Sequence, residues 1–224
     1  MNSMAEMAPS MEREFVHNVY EQIAEHFDKT RFSLWPCVVR FLNSLGAGSV
    51  VLDVGCGNGK YFQVRKDCTM FGCEPCRALC EIAQSRGGAM VMGNGLQLPY
   101  KSGAFDAIIC VAVLHHVDSK EKRQQFLDEL ERVLVPGGKA LVTVWAICAA
   151  LPAWKHLGGN DFLVPWQNRK NGKTVAVYDR FYHLFSKDEL CKYSSTLEYE
   201  AENWVFTLQK PYTCPHEQYY NIAY

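Results

Sequence analysis

Apolar positions along this chain follow two periods. Between residues 50 and 144, short unbroken apolar runs alternate with stretches in which apolar residues recur every three or four positions, the pattern of buried parallel strands joined by helices. The runs predict strands at 50–54, 69–73, 89–92, 107–111 and 139–144, and the periodic stretches predict helices at 59–64, 77–86 and 120–134. Pro136-Gly137-Gly138 reads as a turn that stops the last helix and feeds the next strand. Ahead of the sheet, amphipathic helices at 12–27 and 36–45 are placed to cover the site at one end of it. Behind it, 150–178 is rich in Trp, Gly and Asn and reads as an irregular, substrate-facing insertion, too long for a plain connector. Ser186-Lys187-Asp188-Glu189 forms a capping box for a short helix, and 197–200 with 204–209 make a closing antiparallel pair. The expected architecture is α/β and one structural domain in all: helices over 1–48, then over 49–224 a mostly parallel seven-stranded sheet with an antiparallel C-terminal pair.

Composition narrows the partners. A chain of 224 residues with 48% hydrophobic content can bury one sizeable core. A net charge of −1 exerts no global pull on nucleic acid or membrane, so a polyanionic substrate must be held by local patches or a partner. No apolar run approaches membrane-spanning length, and residues 1–10 lack the basic start and apolar core of a secretory leader. Ten cysteines are then expected as buried thiols in a reducing cytoplasm or nucleus. Cys73, Cys76 and Cys80 lack a fourth ligand nearby and straddle a strand end and a helix, so no metal site is expected.

The chemistry is concentrated in Val50-Val51-Leu52-Asp53-Val54-Gly55-Cys56-Gly57-Asn58-Gly59. An apolar strand ending in Asp and entering Gly-x-Gly-x-Gly lets a ligand lie close to the backbone at the strand end, where open α/β sheets bind nucleosides. A dinucleotide fingerprint fits less well. Its third Gly would come one residue later, Lys60 stands where it wants a small residue, and Asp53 would oppose a pyrophosphate. The ammonium of a methionine tail instead pairs with Asp53, which makes S-adenosylmethionine the expected cofactor. Glu74 ends the second apolar run, and its two oxygens can accept both ribose hydroxyls.

With these residues stand Phe27-Asp28-Lys29-Thr30-Arg31, Trp35-Pro36, Val113-Leu114-His115-His116, Val144-Trp145-Ala146, Leu163-Val164-Pro165-Trp166 and Arg180-Phe181-Tyr182-His183-Leu184-Phe185. Together they resemble the eukaryotic tRNA methyltransferases that esterify 5-carboxymethyluridine at the wobble position. The resemblance spans about 12–209 and implies a class I, Rossmann-like methyltransferase fold, a tRNA substrate and a small zinc-binding activator protein as partner. Two features depart from the family pattern. Asn94 stands where the family usually has Asp, though its carbonyl oxygen can accept from an adenine amine. The insertion after Trp145-Ala146 is also short.

Site expectations follow. Tyr20, Asp53, Gly55, Cys56, Gly57, Gly59, Glu74, Asn94, Gly95, Leu96 and Val111 are expected at the cofactor, and Arg31, His115, His116 and Trp145 at the reacting end. A guanidinium fork at Arg31 suits either the acceptor carboxylate or the cofactor's own, or merely closes a helix turn. His115 and His116 orient substrate, bind phosphate, or are satisfied by a backbone carbonyl. Tyr20, Trp35 and Trp145 wall the cofactor, stack on a base, or serve as core. Arg169, Lys170, Lys173 and Arg180 form a basic patch for phosphate, or a solvated loop; with Trp35 they make up the expected substrate contacts. The competing functions are methyl transfer to a small molecule or protein, and a non-catalytic binding protein of the same fold.

Overall fold

The computed structural model describes residues 10–149, 153–194 and 196–212. Residues 1–9 and the start of the expected insertion, 150–152, lie outside them. The chain opens with a π-helical turn, Arg13–His17, that runs into α1 (Asn18–Thr30), followed by α2 (Pro36–Asn43). Then come β1 (Val50–Val54), β2 (Thr69–Glu74), α3 (Arg77–Gln84), β3 (Ala89–Met92), β4 (Phe105–Val111), α4 (Lys120–Val133) and β5 (Leu134–Trp145). After them lie β6 (Lys155–Gly158), β7 (Asp161–Lys170), β8 (Lys173–His183), α5 (Lys187–Leu190), β9 (Leu197–Glu200) and β10 (Asn203–Gln209).

Seven strands form one sheet in the order β3-β2-β1-β4-β5-β10-β9. β1 to β5 run parallel, and β10 and β9 add antiparallel at the end, as expected. Alternation along the strands divides the core. Val51, Ala107, Ile109 and Leu141 pack with Cys37, Val38 and Leu42 of α2. Leu52, Ile108, Ala140 and Val142 face the other way, onto Phe126, Leu127, Leu130 and Val133 of α4. Each such large side chain, once buried, contributes roughly 1.5–3 kcal/mol. α4 starts where the Ser119 hydroxyl accepts from the Lys122 amide at 3.2 Å.

Three expectations are corrected. No helix forms at 59–64. Instead, tight turns from Phe62 N to Gly59 O and from Val64 N to Tyr61 O carry the chain to β2, because Tyr61 and Phe62 are both buried and must point inward from adjacent positions. Pro136-Gly137-Gly138 is not a turn ahead of the strand but a bulge within β5. Leu134 pairs with Phe105 and Lys139 with Ala107, so β5 carries three more residues than β4 across that interval. Most consequentially, 153–178 is regular. β6, β7 and β8 form a second, antiparallel sheet, and β7 turns into β8 through Asn171 and Gly172, both at positive φ. That is the two-residue hairpin such a dipeptide favours.

The second sheet presses the N-terminal helices onto the sheet end. Leu163 and Phe181 pack on Val16, while Trp166 packs on Val19 and Ile23 of α1. Val164, Tyr182 and Leu184 pack against Trp145. Between α1, the second sheet and the C-terminal ends of β1, β2 and β4 lies a deep cleft.

Candidate active site

β1 delivers Asp53 into the cleft and then turns away at Gly55. A Cβ at Gly55, where φ is +69°, would lie 2.4 Å from Val113 Cγ2, so the loop reaches its position only with glycine there. Gly57 and Cys56 also face the cleft. Gly59 does not. A Cβ there would meet Phe62 at 2.8 Å and Ala83 at 3.0 Å behind the loop, so this position too requires glycine.

Asp53 is 1% exposed, and its Oδ2 has no hydrogen-bond partner. Burial, reinforced by Glu74 and opposed by Lys60, pushes its pKa up to about 8. Glu74 is pushed up to about 7, again chiefly by burial, against two backbone donors. Its Oε2 accepts from Gly57 N at 2.9 Å and its Oε1 from Cys76 N at 3.0 Å. Both oxygens are thus already engaged, each with a lone pair remaining. Lys60, absent from the expected set, has its pKa lowered to about 8 by burial and donates to Ser33 O at 2.9 Å. An orphaned buried carboxylate oxygen, a second carboxylate beside it and a glycine cradle fit the ammonium, ribose and backbone-hugging shape of S-adenosylmethionine. Asn94, Gly95, Leu96 and Val111 line the same cleft, and Asn94 Oδ1 is held by Leu96 N at 2.7 Å.

The opposite wall is aromatic and cationic. The ring of His115 stacks on Tyr182 at 4.7 Å, and its Nδ1 accepts from Trp145 N at 3.2 Å. These partners assign its proton to Nε2. His116 Nδ1 lies 2.7 Å from Phe181 O, to which it must donate, so its Nε2 accepts from the Tyr20 hydroxyl at 3.0 Å. Burial lowers the pKa of His116 to about 3 and that of His115 well below the usual value, so both rings are neutral. Trp145 stacks on Trp154 at 5.6 Å. Trp35 lines the mouth beside Lys60.

Arg180 overturns an expectation. It lies not in a surface patch but in the cleft, 6% exposed, with its guanidinium 4.7 Å from the Trp166 ring and 5.0 Å from that of Tyr182. Nη1 reaches the Tyr20 hydroxyl at 3.5 Å, and Nε has no partner. Arg31 stands against the same Trp166 at 4.7 Å, more exposed, with Nη1 on Thr30 O at 3.3 Å. Desolvation and the neighbouring Arg180 lower the pKa of Arg31. Arg169, Lys170 and Lys173 sit at the β7–β8 hairpin, exposed and off the cleft. Arg180 lies seven residue steps along the strand from Lys173, about 23 Å. Tyr182 escaped the sequence reading because its signal, the same face of β8 as Arg180 two residues on, exists only if 173–183 is a strand. Cys73, Cys76 and Cys80 are buried thiols, and no cluster suited to a metal occurs among the described residues.

Residues 52–142 match the methyltransferase domain family model. The tRNA (carboxymethyluridine(34)-5-O)-methyltransferase of Schizosaccharomyces pombe is 40% identical over 89% of this chain and 97% of its own length. The alkbh8 protein of Xenopus tropicalis, of the same name, is 36% identical over 91% of this chain, which spans 42% of that longer protein. Among solved structures, a Haloferax volcanii methyltransferase in complex with the Trm112 methyltransferase activator shares the fold at a TM-score of 0.51 and 19% identity, over 58% of this chain and 60% of that one. With a class I sheet, a nucleoside-shaped glycine loop and a relative matched almost end to end at 40% identity, the chain belongs to the S-adenosylmethionine-dependent tRNA (carboxymethyluridine(34)-5-O)-methyltransferase family.

Proposed function

We propose that this protein transfers a methyl group from S-adenosylmethionine to the carboxylate of 5-carboxymethyluridine at the tRNA wobble position. The observation that carries the reading is the polarity of one cleft: carboxylates at the glycine-loop end, guanidiniums and aromatic rings at the other, and, among the described residues, no unengaged imidazole between them. When bound, S-adenosylmethionine supplies an electrophilic methyl carbon. A carboxylate acceptor with a pKa of about 4 is already ionised at neutral pH and needs no general base. The neutral, doubly hydrogen-bonded His116 is consistent with that, since it fixes Tyr20 and Phe181 rather than holding a free lone pair. Arg31 and the aromatic wall then orient the acceptor and exclude water, which is the remaining work of an in-line displacement. Arg169, Lys170 and Lys173 are suited to the phosphates flanking the base.

We assign a small zinc-binding activator as partner, supported by the family resemblance and by β3, an exposed sheet edge whose Met92 is 59% exposed. Nucleoside mass spectrometry of tRNA from cells with and without the protein tests the activity. Loss of the methyl ester with accumulation of the free acid is expected. Unchanged ester, or methylation of a protein or small molecule by the purified enzyme instead, overturns the reading.

A further inference from the structure

We propose that Arg180 is the group that recognises the acceptor carboxylate, and that methylation releases the product by cancelling the charge Arg180 holds. The proposal rests on the function given above. A guanidinium that is 6% exposed needs an anion or a full set of acceptors, because leaving it desolvated and unpaired is costly. Among the described residues it has neither. Its partners are the phenol groups of Tyr20, at 3.5 Å, and Tyr182 and the face of Trp166, and its Nε is orphaned inside the cleft. Nε and an Nη nitrogen form a planar fork that matches the two oxygens of a carboxylate.

Two carboxylates could enter the cleft, the acceptor's and that of the cofactor's methionine. Position favours the acceptor. Asp53, which suits the methionine ammonium, has Glu74 and Lys60 as its charged neighbours, and Lys60 with the nearby Arg31 supplies the positive charge at that end. Arg180 sits instead with Tyr20, Tyr182 and Trp166, beside the two histidines at the aromatic end. Arg31 stands against the same Trp166 ring at 4.7 Å, exposed at the cleft mouth.

In the transfer a carboxylate oxygen forms the O–CH3 bond as the S–CH3 bond breaks. The sulfonium becomes a neutral thioether, the carboxylate becomes a neutral ester, and no proton moves. Arg180 thereby loses its counter-ion at the moment of reaction. The acid is the tight ligand, and the ester, like a carboxamide of similar shape, is a weak one.

The test measures binding of three anticodon stem-loop RNAs, carrying the carboxymethyl, carbamoylmethyl or methyl-ester group, to the full chain with its activator and S-adenosylhomocysteine. Wild type should prefer the acid by about 10- to 100-fold, the range of one charged hydrogen-bonded contact. Arg180→Met should bind all three as weakly as wild type binds the ester, and Arg180→Lys should regain part of the preference. Calorimetric affinity for S-adenosylhomocysteine should be unchanged in both. Acid preference that survives Arg180→Met overturns the proposal, and so does lost cofactor affinity, which would give Arg180 to the methionine carboxylate. If Arg180→Met does not fold, equal binding of acid and ester by wild type is by itself decisive against it. Failure of wild type to esterify any RNA would instead remove the function on which the proposal rests.

Discussion

Asp53 shows how one residue's burial becomes a measurable linkage. Its carboxyl, at about 8, lies well above the 3.8 of an unburied aspartate, so between roughly pH 4 and 8 the folded chain holds a proton that the unfolded chain has released. Stability from this group therefore falls as pH rises through that window. Pairing with an ammonium needs the ionised form, so ligand binding near pH 7 must expel the proton. Calorimetry of S-adenosylhomocysteine binding in buffers of different ionisation enthalpy should show close to one proton released per site at pH 7, with affinity rising from pH 6 to 8. Asp53→Asn should remove most of the release, leaving the fraction that Glu74, at about 7, contributes, and weaken binding about tenfold or more. Affinity that is flat across this range would mean that Asp53 does not meet the ligand's ammonium. The carboxylates themselves were legible in the sequence because strand–Asp–glycine-loop spacing is local. The role of Arg180 was not, since it depends on which neighbours a strand residue meets across the fold.

At the scale of elements, the β7–β8 hairpin divides what the chain presents as one basic run. Its base carries Arg180 into the cleft, while its tip holds Arg169, Lys170 and Lys173 in solvent. The Asn171-Gly172 signal was present in the sequence, but the flanking Arg, Lys and Thr residues obscured the alternation that identifies strands. This division predicts separable effects. Lys170→Ala and Lys173→Ala should lower tRNA affinity and make the dependence of log affinity on log salt shallower by about one unit per lysine. Cofactor binding should be untouched. A salt slope identical to wild type in the double variant would exclude the hairpin tip from the RNA interface.

At the scale of the whole molecule, both edges of the main sheet are half exposed, with Tyr199 of β9 51% and Met92 of β3 59% accessible, but β9 is braced on α2 by the Arg40–Glu200 pair at 2.9 Å. An exposed apolar strand edge invites association. Co-expression with the activator should raise soluble yield and slow amide exchange along β3. An isolated chain that is monodisperse, fully active on tRNA and does not co-purify with the activator would dispose of that partnership.

Sequence alone determined the parallel core, its seven strands and the cofactor loop, because each of these is encoded by residues adjacent in the chain: apolar runs, helical periods, and Asp53 placed just ahead of its glycines. Tertiary structure decided the rest. Whether Tyr61 and Phe62 continue a helix depends on the core they must both enter, and whether Pro136-Gly137 is a turn or a bulge depends on the register of β4. The reacting end of the cleft joins Tyr20, His116 and Arg180 from three separate elements, 96 and 160 residues from Tyr20 along the chain. Contacts of that range leave no periodic trace in the sequence. They arise only when α1, the turn after β4 and the second sheet come together.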